Sequence, residues 1–393
     1  MKKILLVFGT RPEAIKMIPV FRALKDKKFF DTRICITAQH REMLDSVLEL
    51  FGVKADYDLD IMKSGQDLFD ITAAILKGMK TVLDDFEPDL VLVHGDTSTT
   101  FAASLAAFYK QIKVGHVEAG LRTGSIYSPW PEEANRRMTT RLAEYHFAPT
   151  AQNRQNLIAE GVSDSDISVT GNTVIDSLLA VAGNINSDYG KRVWLKEKII
   201  SYGFTGFADY SPESNSCKSR YILVTGHRRE SFGEGFRSIC LALKKIAYAN
   251  KDIKIVYPVH MNPNVRTPVN ELLRGIENIY LIEPLQYEEF IMLLSMSYIV
   301  LTDSGGIQEE APALGKPVLV MRETTERIEA VDAGTVKLVG TDTDIICSEV
   351  QKFIDSKDYY DRVSVVRNPY GEGNAAGVIA DFLVSCFSGE HNE

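Results

Sequence analysis

Short apolar runs alternate with amphipathic stretches along almost the whole chain. In the first half these runs are KILLVF, TRICITA, DLVLVHGD, IKVGHVEAG, YHFAPT and ISVTG, each followed by a polar turn and a helix-like segment. The pattern restarts in the second half with YILVTGHRRE, KIVYPVH, IYLIEPL, YIVLTDSGG, PVLVMRE and VKLVG. Such alternation is typical of parallel, doubly wound sheets. We therefore predict an α/β protein with two Rossmann-like domains.

The middle of the chain is less regular, and its part SYGFTGFADYSPESNSCKS is rich in Gly, Ser and Pro, which is typical of a loop or linker. The predicted division is an N-terminal domain over 1–184, an irregular linker over 185–220, a C-terminal domain over 221–374, and a last helix over 375–393 that could cross back onto the first domain. Two such domains facing each other across a cleft would place the C-terminal ends of strands, where ligands bind, on both walls.

Length and composition narrow the class of protein. A chain of 393 residues is too long for one compact core, which agrees with two domains. The composition is typical of a soluble globular protein, and a net charge of −9 argues against nucleic acid as the main partner. No apolar stretch approaches membrane-spanning length. The five scattered cysteines lack CxxC spacing, which predicts reduced thiols in a cytoplasmic protein and no zinc site.

The stretch LTDSGGIQEEAPALGKPVLVMRETTER indicates a nucleotide diphosphate site. An apolar strand ends at Asp303, and Ser304, Gly305 and Gly306 then bring bare backbone to the start of a predicted helix. Such a helix start offers N–H groups and a positive dipole end to a phosphate. An ordinary glycine-rich turn is the alternative reading.

Three further side chains follow in the same stretch. Glu309 and Glu310 lie in the first turns of the predicted helix, and a carboxylate at this edge of a sheet commonly holds ribose hydroxyls. Arg327 lies just past the next predicted strand and could close over the same phosphates.

Acidic residues follow predicted strands of the first half. Asp96 ends DLVLVHGD, Glu118 ends VGHVEAG, and Glu132 begins a predicted helix in YSPWPEEANR. Carboxylates that leave one sheet edge together are expected to raise each other's pKa and share protons, which suits general acid/base chemistry. The alternative is that each carboxylate caps a helix or pairs with a neighbouring arginine, namely Arg122, Arg136 or Arg137.

Basic residues and a histidine also lie at predicted strand ends. Thr10 and Glu13 have capping-box spacing, which does not explain Arg11 and Lys16. These two are either a phosphate or uracil contact or a solvated surface pair. His227 ends YILVTG and is followed by two arginines, which favours a functional role. The chain has no G-x-G-x-x-G, HExxH, GxSxG or Walker A motif, so neither a nicotinamide nor a metal site is predicted.

The chain resembles the bacterial non-hydrolysing UDP-N-acetylglucosamine 2-epimerases. The resemblance covers nearly the entire chain and rests on GTRPEAIKM, TAQHREML, HGDT, GHVEAGLR, YSPWPEEANRR, TGNTVIDSL, TGHRRESFG, YPVHMNPNVR, TDSGGIQEEAPALGKPVLVMRETTER and AGTVKLVGT. It implies a glycosyltransferase-B-like fold, a homodimer, and interconversion of UDP-GlcNAc and UDP-ManNAc for cell-surface polysaccharide biosynthesis. No cofactor or metal is implied, and no nucleic acid or membrane partner.

The resemblance also implies residue roles. The implied catalytic residues are Asp96, Glu118, Glu132 and His227. The implied substrate-binding residues are Arg11, Lys16, Arg136, Phe290, Ser304, Gly305, Gly306, Glu310 and Arg327. Some members bind a second UDP-GlcNAc as an activator, which makes Gln39, His40 and Arg41 a candidate effector site.

The chain departs from the family pattern at three positions. Glu42 stands where regulated members carry Gln, which puts the effector site in question. Leu285 stands where the family often has Gln, so a side-chain contact there would be lost. Ile328 stands where the family usually has Pro after TER, which could loosen the loop that carries Arg327.

The resemblance implies a mechanism of anti elimination of UDP to a 2-acetamidoglucal, followed by re-addition. It predicts Asp96 and Glu132 near C2 of the sugar, Glu118 tuning them, and His227 with Arg11 stabilising the departing pyrophosphate. Three other functions are weighed against it. These are a glycosyltransferase of the same fold using a UDP-sugar donor, a hydrolysing epimerase that releases free ManNAc, and a non-catalytic nucleotide-sugar sensor.

Overall fold

The computed structural model describes residues 1–38, 41–63 and 65–389. The chain divides into two compact units. Unit 1 comprises Met1–Ser177 together with the chain from Tyr370 onward, and unit 2 comprises Leu178–Pro369. Each unit is built on its own parallel sheet.

Unit 1 holds a sheet of seven strands within the described residues, in the order β3-β2-β1-β4-β5-β6-β7, and every pairing is parallel. Its strands are β1 (Lys2–Phe8), β2 (Phe30–Ile36), β3 (Tyr57–Asp58), β4 (Leu90–His94), β5 (Lys113–Val117), β6 (Tyr145–Ala148) and β7 (Ile167–Val169). Its helices are α1 (Arg11–Asp26), α2 (Arg41–Leu50), α3 (Leu68–Phe86), α4 (Ser98–Tyr109), α5 (Glu132–Leu142), α6 (Ala151–Ala159), the start of α7 (Thr173–Ser187) and α16 (Ala375–Ser388).

Unit 2 holds a parallel sheet of six strands, in the order β12-β11-β10-β13-β14-β15, and a short hairpin of β8 and β9. Its strands are β8 (Tyr210–Ser211), β9 (Ser216–Cys217), β10 (Tyr221–Thr225), β11 (Lys254–Pro258), β12 (Ile279–Ile282), β13 (Ile299–Thr302), β14 (Val318–Val320) and β15 (Val336–Leu338). Its helices are α8 (Tyr189–Ser201), α9 (Glu234–Ala249), α10 (Pro263–Leu273), α11 (Tyr287–Met296), α12 (Gly305–Ala313), α13 (Ile328–Asp332), α14 (Thr343–Asp355) and α15 (Lys357–Ser364). Short 3₁₀ helices cover Asp164–Asp166, Thr205–Asp209 and Arg229–Ser231.

The sequence pattern explains these elements. The central strands β1 and β10 are almost entirely buried, because parallel sheets are covered by helices on both faces and their strands read as continuous apolar runs. Helices α3 and α9 bury apolar residues three and four positions apart, which gives each one apolar stripe against its sheet. The apolar runs of the sequence coincide with strands of the two sheets, and the predicted α/β fold with two Rossmann-like domains is confirmed.

The order of each sheet reverses at one point. In unit 1 the chain turns from β1 toward β2 on one side and β4 on the other, and in unit 2 β10 has the same position between β11 and β13. Ligands of open α/β sheets bind beyond the carboxyl ends of the strands at such a switch point. The loops after β1 and β4, and after β10 and β13, are therefore candidate ligand-binding loops.

The segment 185–220 differs from the irregular linker of the sequence prediction. Helix α7 runs to Ser187, and α8 follows at once with Asp188 as its N-cap, whose side chain accepts from the Lys191 N–H at 2.9 Å. The buried guanidinium of Arg192 donates to the Pro212 carbonyl at 2.7 Å, which ties the Gly- and Ser-rich stretch to this helix. The two units divide within α7, between Ser177 and Leu178.

Candidate functional site

In unit 1 one buried carboxylate joins the two loops of the switch point. Glu13 accepts hydrogen bonds from the N–H groups of Gly9 at 3.0 Å and Thr10 at 2.8 Å. Its other oxygen accepts from the Thr97 hydroxyl at 2.7 Å, on the loop after β4. This arrangement contains the capping-box contact that the sequence predicts. It also places Arg11, the first residue of α1, at the switch point.

Glu118 follows β5 and has a positive φ of 62°, a strained conformation for a residue with a side chain. Its carboxylate contacts the Lys16 ammonium, accepts from Asn172 Nδ2 at 2.8 Å, and lies 3.6 Å from His94 Nε2. Burial raises the pKa of Glu118, but Lys16 and His94 lower it, and the net pKa is well below its usual range. The prediction that the acids raise each other's pKa is therefore wrong for Glu118, because a cation neutralises it.

Asp96 and Glu132 are connected through the first turns of α5. Arg136 Nη2 lies 2.6 Å from Asp96 Oδ2, and Asn135 Nδ2 donates to the Asp96 carbonyl at 2.9 Å. Glu132 begins the same helix, and its Oε2 is buried without a hydrogen-bond partner in the described part of the chain. The neighbouring Glu133 is fully buried and bonds Arg136 at 3.1 Å, so it has the structural role.

Contacts connect the three segments that carry the acids at the edge of the sheet. A Cβ added to Gly95 would lie 3.9 Å from Glu118 Oε1, which places that carboxylate beside the residue that precedes Asp96. The buried His116 ring fixes this turn through a 2.7 Å hydrogen bond between its Nε2 and the Gly95 carbonyl. Asn135, one turn after Glu132, bonds the backbone of Asp96. The loops after β4 and β5 and the start of α5 are thus neighbours at this edge of the sheet.

In unit 2 the switch point is closed by a buried aspartate. Asp303 Oδ2 accepts the N–H groups of His227 at 2.7 Å and Arg228 at 2.8 Å. The His227 ring lies with Nδ1 3.6 Å from Asp303 Oδ1 and stacks on His260 at 5.2 Å between ring centroids. Burial lowers the pKa of His227, the Asp303 carboxylate opposes this, and His260 and Arg228 lower it further.

The N-terminus of α12 faces a guanidinium. Ser304 is the N-cap, and the helix begins with Gly305 and Gly306. A Cβ added to Gly305 would lie 3.0 Å from Cζ of Arg327, whereas one added to Gly306 would meet nothing within 4 Å. A helix N-terminus and an arginine are both positive, and their convergence is an arrangement that can bind an anion such as phosphate.

A chain of ion pairs holds this arginine. Glu309 lies 2.9 Å from Arg327 Nε, and Glu326 lies 2.9 Å from its Nη1. Glu326 also pairs with Arg322 at 3.0 Å, and Arg322 contacts Glu230 on the loop after β10. Burial raises the pKa of Glu326, but Arg327 and Arg322 lower it to about 2. The loops around the anion site are therefore connected by charge.

The remaining predicted binding residues have different surroundings. Glu310 is buried in α12 beside Glu309, and Glu309 pairs with Arg327. Phe290 lies in α11, which follows β12, two strands away from β10. Arg136 is bound by Asp96 and Glu133, which favours a role in holding Asp96.

The candidate effector site is described only in part. Gln39 and His40 lie outside the described residues. Arg41 begins α2 and pairs with nearby carboxylates, namely Asp58 at 2.7 Å, Asp60 at 3.0 Å and Asp45 at 3.5 Å.

Several residues of these clusters are absent from the predicted site. Asn172 lies in TGNT just after β7, a strand-end position that could have drawn attention to it. The sequence marks Asp303 only as the end of a strand, although an aspartate before SGG could hold a neighbouring loop. Arg322 and Glu326 lie within the quoted motif MRETTER, but nothing in the sequence indicates that they pair.

Within 1–38, 41–63 and 65–389, no group of three or more His, Cys, Asp and Glu side chains has an arrangement that could hold a metal ion. Across the same ranges, none of the helices combines the length and the apolar character that crossing a membrane requires.

Comparison with known proteins agrees with the resemblance in sequence. Residues 22–384 match the family model described as UDP-N-acetylglucosamine 2-epimerase. The UDP-N-acetylglucosamine 2-epimerase of Escherichia coli is 56% identical over 97% of this chain and 98% of its own length. That of Salmonella typhimurium is 55% identical over 98% of both chains.

Solved structures give the same result. The Neisseria meningitidis UDP-GlcNAc 2-epimerase, solved bound to UDP-GlcNAc, has a TM-score of 0.86 and 51% identity, and the match covers 98% of this chain and 100% of that one. The Methanocaldococcus jannaschii UDP-GlcNAc 2-epimerase, in complex with UDP-GlcNAc and UDP, has a TM-score of 0.77 and 32% identity, with 97% and 99% covered.

Proposed function

Because this chain belongs to the UDP-N-acetylglucosamine 2-epimerase family, we propose that it interconverts UDP-GlcNAc and UDP-ManNAc by inverting C2 of the sugar. The observation that supports this most directly is that one chain carries different chemical groups at the switch points of its two sheets. Unit 1 carries three clustered carboxylates, and unit 2 carries an anion site at a helix N-terminus.

The UDP group is proposed to bind mainly to unit 2. The N–H groups at the start of α12 and the Arg327 guanidinium would bind the diphosphate, and the buried Glu310 would accept from ribose hydroxyls. Phe290 is proposed to contact the UDP group from α11. Arg11 of unit 1 is also proposed to contact the diphosphate.

The chemistry must avoid a direct deprotonation, because C2 bears no carbonyl and its hydrogen is not acidic. We propose that the C2–H bond and the C1–O bond to UDP break in an anti elimination, which forms a C1–C2 double bond in 2-acetamidoglucal. A carboxylate takes the proton. UDP oxygen then returns to C1 while another acid delivers a proton to the opposite face of C2.

The clusters suggest how the acids divide this work. Asp96 is oriented by Arg136, and Glu132 has a buried oxygen free of hydrogen bonds among the described residues, so we assign proton transfer at C2 to this pair. Glu118 is held as an anion by Lys16 and is assigned to orienting and tuning them. His227 and the α12 amides would stabilise the departing diphosphate.

Incubation with UDP-GlcNAc in D₂O tests the proposal. We expect UDP-ManNAc and recovered UDP-GlcNAc to carry deuterium at C2, without added metal or NAD, and trapped 2-acetamidoglucal to accumulate with UDP on quenching. Epimerised product without deuterium at C2 would contradict the elimination mechanism. Absence of any change at C2 would contradict the epimerase proposal.

The same assay separates the alternatives. Free ManNAc with UDP would indicate a hydrolysing epimerase. Sugar transfer to an added acceptor, with no exchange at C2, would indicate the glycosyltransferase, and binding without turnover would indicate a sensor.

Three finer points go beyond the family match. We propose a homodimer that works in the cytoplasm and supplies UDP-ManNAc to cell-surface polysaccharide biosynthesis. Sedimentation equilibrium would test the dimer, and cell fractionation would test the location.

A further inference from the structure

We propose that Asp303 is a positioning residue for His227, which holds the imidazole with its Nδ1 proton directed at the carboxylate and leaves Nε2 on the opposite side of the ring. The inference rests on the proposed function only for its consequence in turnover. Its geometry is independent of that function.

The two oxygens of Asp303 have different surroundings. Oδ2 accepts two backbone N–H groups, from His227 at 2.7 Å and Arg228 at 2.8 Å, so it anchors the start of the loop after β10. Oδ1 is buried without a hydrogen-bond partner among the described residues. A buried carboxylate oxygen without a partner is costly, and His227 Nδ1 lies 3.6 Å from this oxygen.

The fold makes this pairing possible. His227 follows β10 and Asp303 follows β13, and these neighbouring strands of the parallel sheet lie on the two sides of the switch point. The residues are 76 positions apart in sequence, but the register places their strand ends side by side. Gly226, which precedes His227, lies against the β11 side chain of Tyr257, because an added Cβ would be 3.1 Å from the Tyr257 hydroxyl.

The groups that face the His227 ring change its pKa, and their effects can be compared with that of Asp303. His260 after β11 stacks on the ring, and Arg228 on the same loop adds positive charge. Burial and these two groups lower the pKa of His227, whereas Asp303 raises it. Asp303 is therefore the group that favours imidazolium, and imidazolium can donate from Nε2 to a diphosphate.

Nitrogen-15 NMR of the wild-type protein tests the assignment directly. The protein is labelled at its seven histidines, and the His227 signals are identified by their loss in His227→Gln. We expect neutral His227 to carry its proton on Nδ1, although free histidine favours Nε2. A neutral ring protonated on Nε2 would overturn the proposal, and this measurement needs no Asp303 variant to fold.

The variant Asp303→Asn then separates anchoring from charge. Its amide oxygen can still accept the two backbone N–H groups, while its NH₂ group would face Nδ1 and donate to it. We expect the proton to move to Nε2 and the His227 titration midpoint to fall by about one pH unit. An unchanged tautomer together with an unchanged midpoint would overturn the proposal.

Asp342 provides a matched control. Its Oδ1 also accepts two backbone N–H groups, those of Asp344 and Ile345, both at 2.9 Å, at the start of α14. Asp342→Asn should leave the tautomer and the midpoint of His227 unchanged. Because NMR reads the ring itself, a protein inactive on UDP-GlcNAc could still confirm the pairing, and an active epimerase could still fail this test.

Discussion

Side chains at both switch points are held by specific partners. Lys16 holds Glu118, Arg136 holds Asp96, and Asp303 holds the backbone of His227. Such contacts fix the orientation of groups that must meet a substrate in one geometry. The buried Oε2 of Glu132 has no such hydrogen bond within the described residues, which makes this carboxylate the natural one to change partners during a reaction.

Removing the carboxylates of Asp96 and Glu132 tests the proposed proton transfer. We expect Asp96→Asn and Glu132→Gln each to lower kcat by about 100-fold or more. UDP binding, measured by calorimetry, should be retained, because the proposed diphosphate site lies in unit 2.

A matched control is Glu144→Gln, which changes a carboxylate of unit 1 that is 44% exposed and paired with Lys113. It should leave both kcat and UDP binding at wild-type values. Wild-type turnover in both Asp96→Asn and Glu132→Gln would show that neither residue transfers the proton.

Buried histidines should make unit 1 sensitive to mild acid. His116 and His146 face each other on β5 and β6, and burial lowers their pKa values to about 3 and about 4. The unfolded chain takes up these protons near pH 6.5, so the stabilisation is complete above that pH and is lost as pH falls toward the folded pKa values. Each histidine should lower the free energy of unfolding by about 2 kcal/mol between pH 7 and pH 5.

Urea unfolding at pH 7 and pH 5 measures how the free energy of unfolding changes with pH. Hydrogen exchange in β5 and β6 locates the change in unit 1. His116→Gln keeps a donor for the Gly95 carbonyl but cannot titrate, so the loss between the two pH values should shrink by about 2 kcal/mol. An equal slope in wild type and His116→Gln would contradict the prediction.

The candidate residues were largely predictable from sequence, but their partners were not. Asp96, Glu118 and His227 could be located because each follows a recognisable apolar strand, and parallel strands end at the same edge. The contact between Glu118 and Asn172 joins residues 54 positions apart. Such pairings depend on strand order and register, which a single sequence does not give.

The short helix α13 offers a test of the loop that carries Arg327. Ile328 is its first residue and is 60% exposed, and the first helical position tolerates proline well. Arg327 has φ −103° and ψ 57°, outside the α region that a residue before proline avoids. We expect Ile328→Pro to stabilise unit 2 by about 0.5 kcal/mol and to tighten UDP binding about twofold.

Thermal unfolding and calorimetry with UDP would measure both effects. Ile345→Pro is the contrasting variant, because Ile345 is similarly exposed near the start of α14 but its N–H donates to Asp342 at 2.9 Å. That variant should destabilise unit 2 by about 1 kcal/mol or more. Destabilisation by Ile328→Pro of similar size would contradict the proposed fit.

Long elements were predictable and short ones were not. The main strands appear in the sequence as apolar runs, whereas β3, β8 and β9 have two residues each, too few to show a period. The sequence did not predict helix α8, because the Gly- and Ser-rich stretch after it is typical of a linker and the prediction covered the whole of 185–220. The buried Arg192, which orders that stretch, resembles a surface arginine in the sequence alone.

Unit 1 is discontinuous in sequence, which gives a prediction for the whole chain. Helix α16 packs on α1, and Phe382 contacts the rings of Tyr145 and Phe147 with centroids 5.8 and 5.5 Å apart. Ending the chain after Pro369 should therefore remove hydrogen-exchange protection from peptides of 1–177 and leave those of unit 2 protected. Equal protection of unit 1 in both chains would contradict this.

Two point variants in α16 measure how much this helix contributes to the stability of unit 1. Leu383 is fully buried, and Leu383→Ala should cost unit 1 about 2–5 kcal/mol. Asp381 has a side chain that is 67% exposed and pairs with Lys27, so Asp381→Ala should change stability by about 0.5 kcal/mol or less.

Domain count was predictable from length and from the restart of the strand pattern, but the boundaries were harder. The sequence places the division at the least regular segment, whereas the chain passes between units within the regular helix α7. Asp176 of that helix accepts from the N–H groups of Ala375 at 3.2 Å and Ala376 at 3.0 Å. Nothing in composition marks this contact between segments about 200 positions apart.

The divided unit 1 has a consequence for the protein while it is being made. The ribosome releases residues 1–177 long before it synthesises α16. The apolar surface around Tyr145 and Phe147 therefore stays exposed to solvent during that time. Unit 2 is contiguous and can close its own core first, which reverses the usual N-terminal-first order of domain folding. We therefore expect the nascent N-terminal half to be the part of the chain that chaperones bind until translation ends.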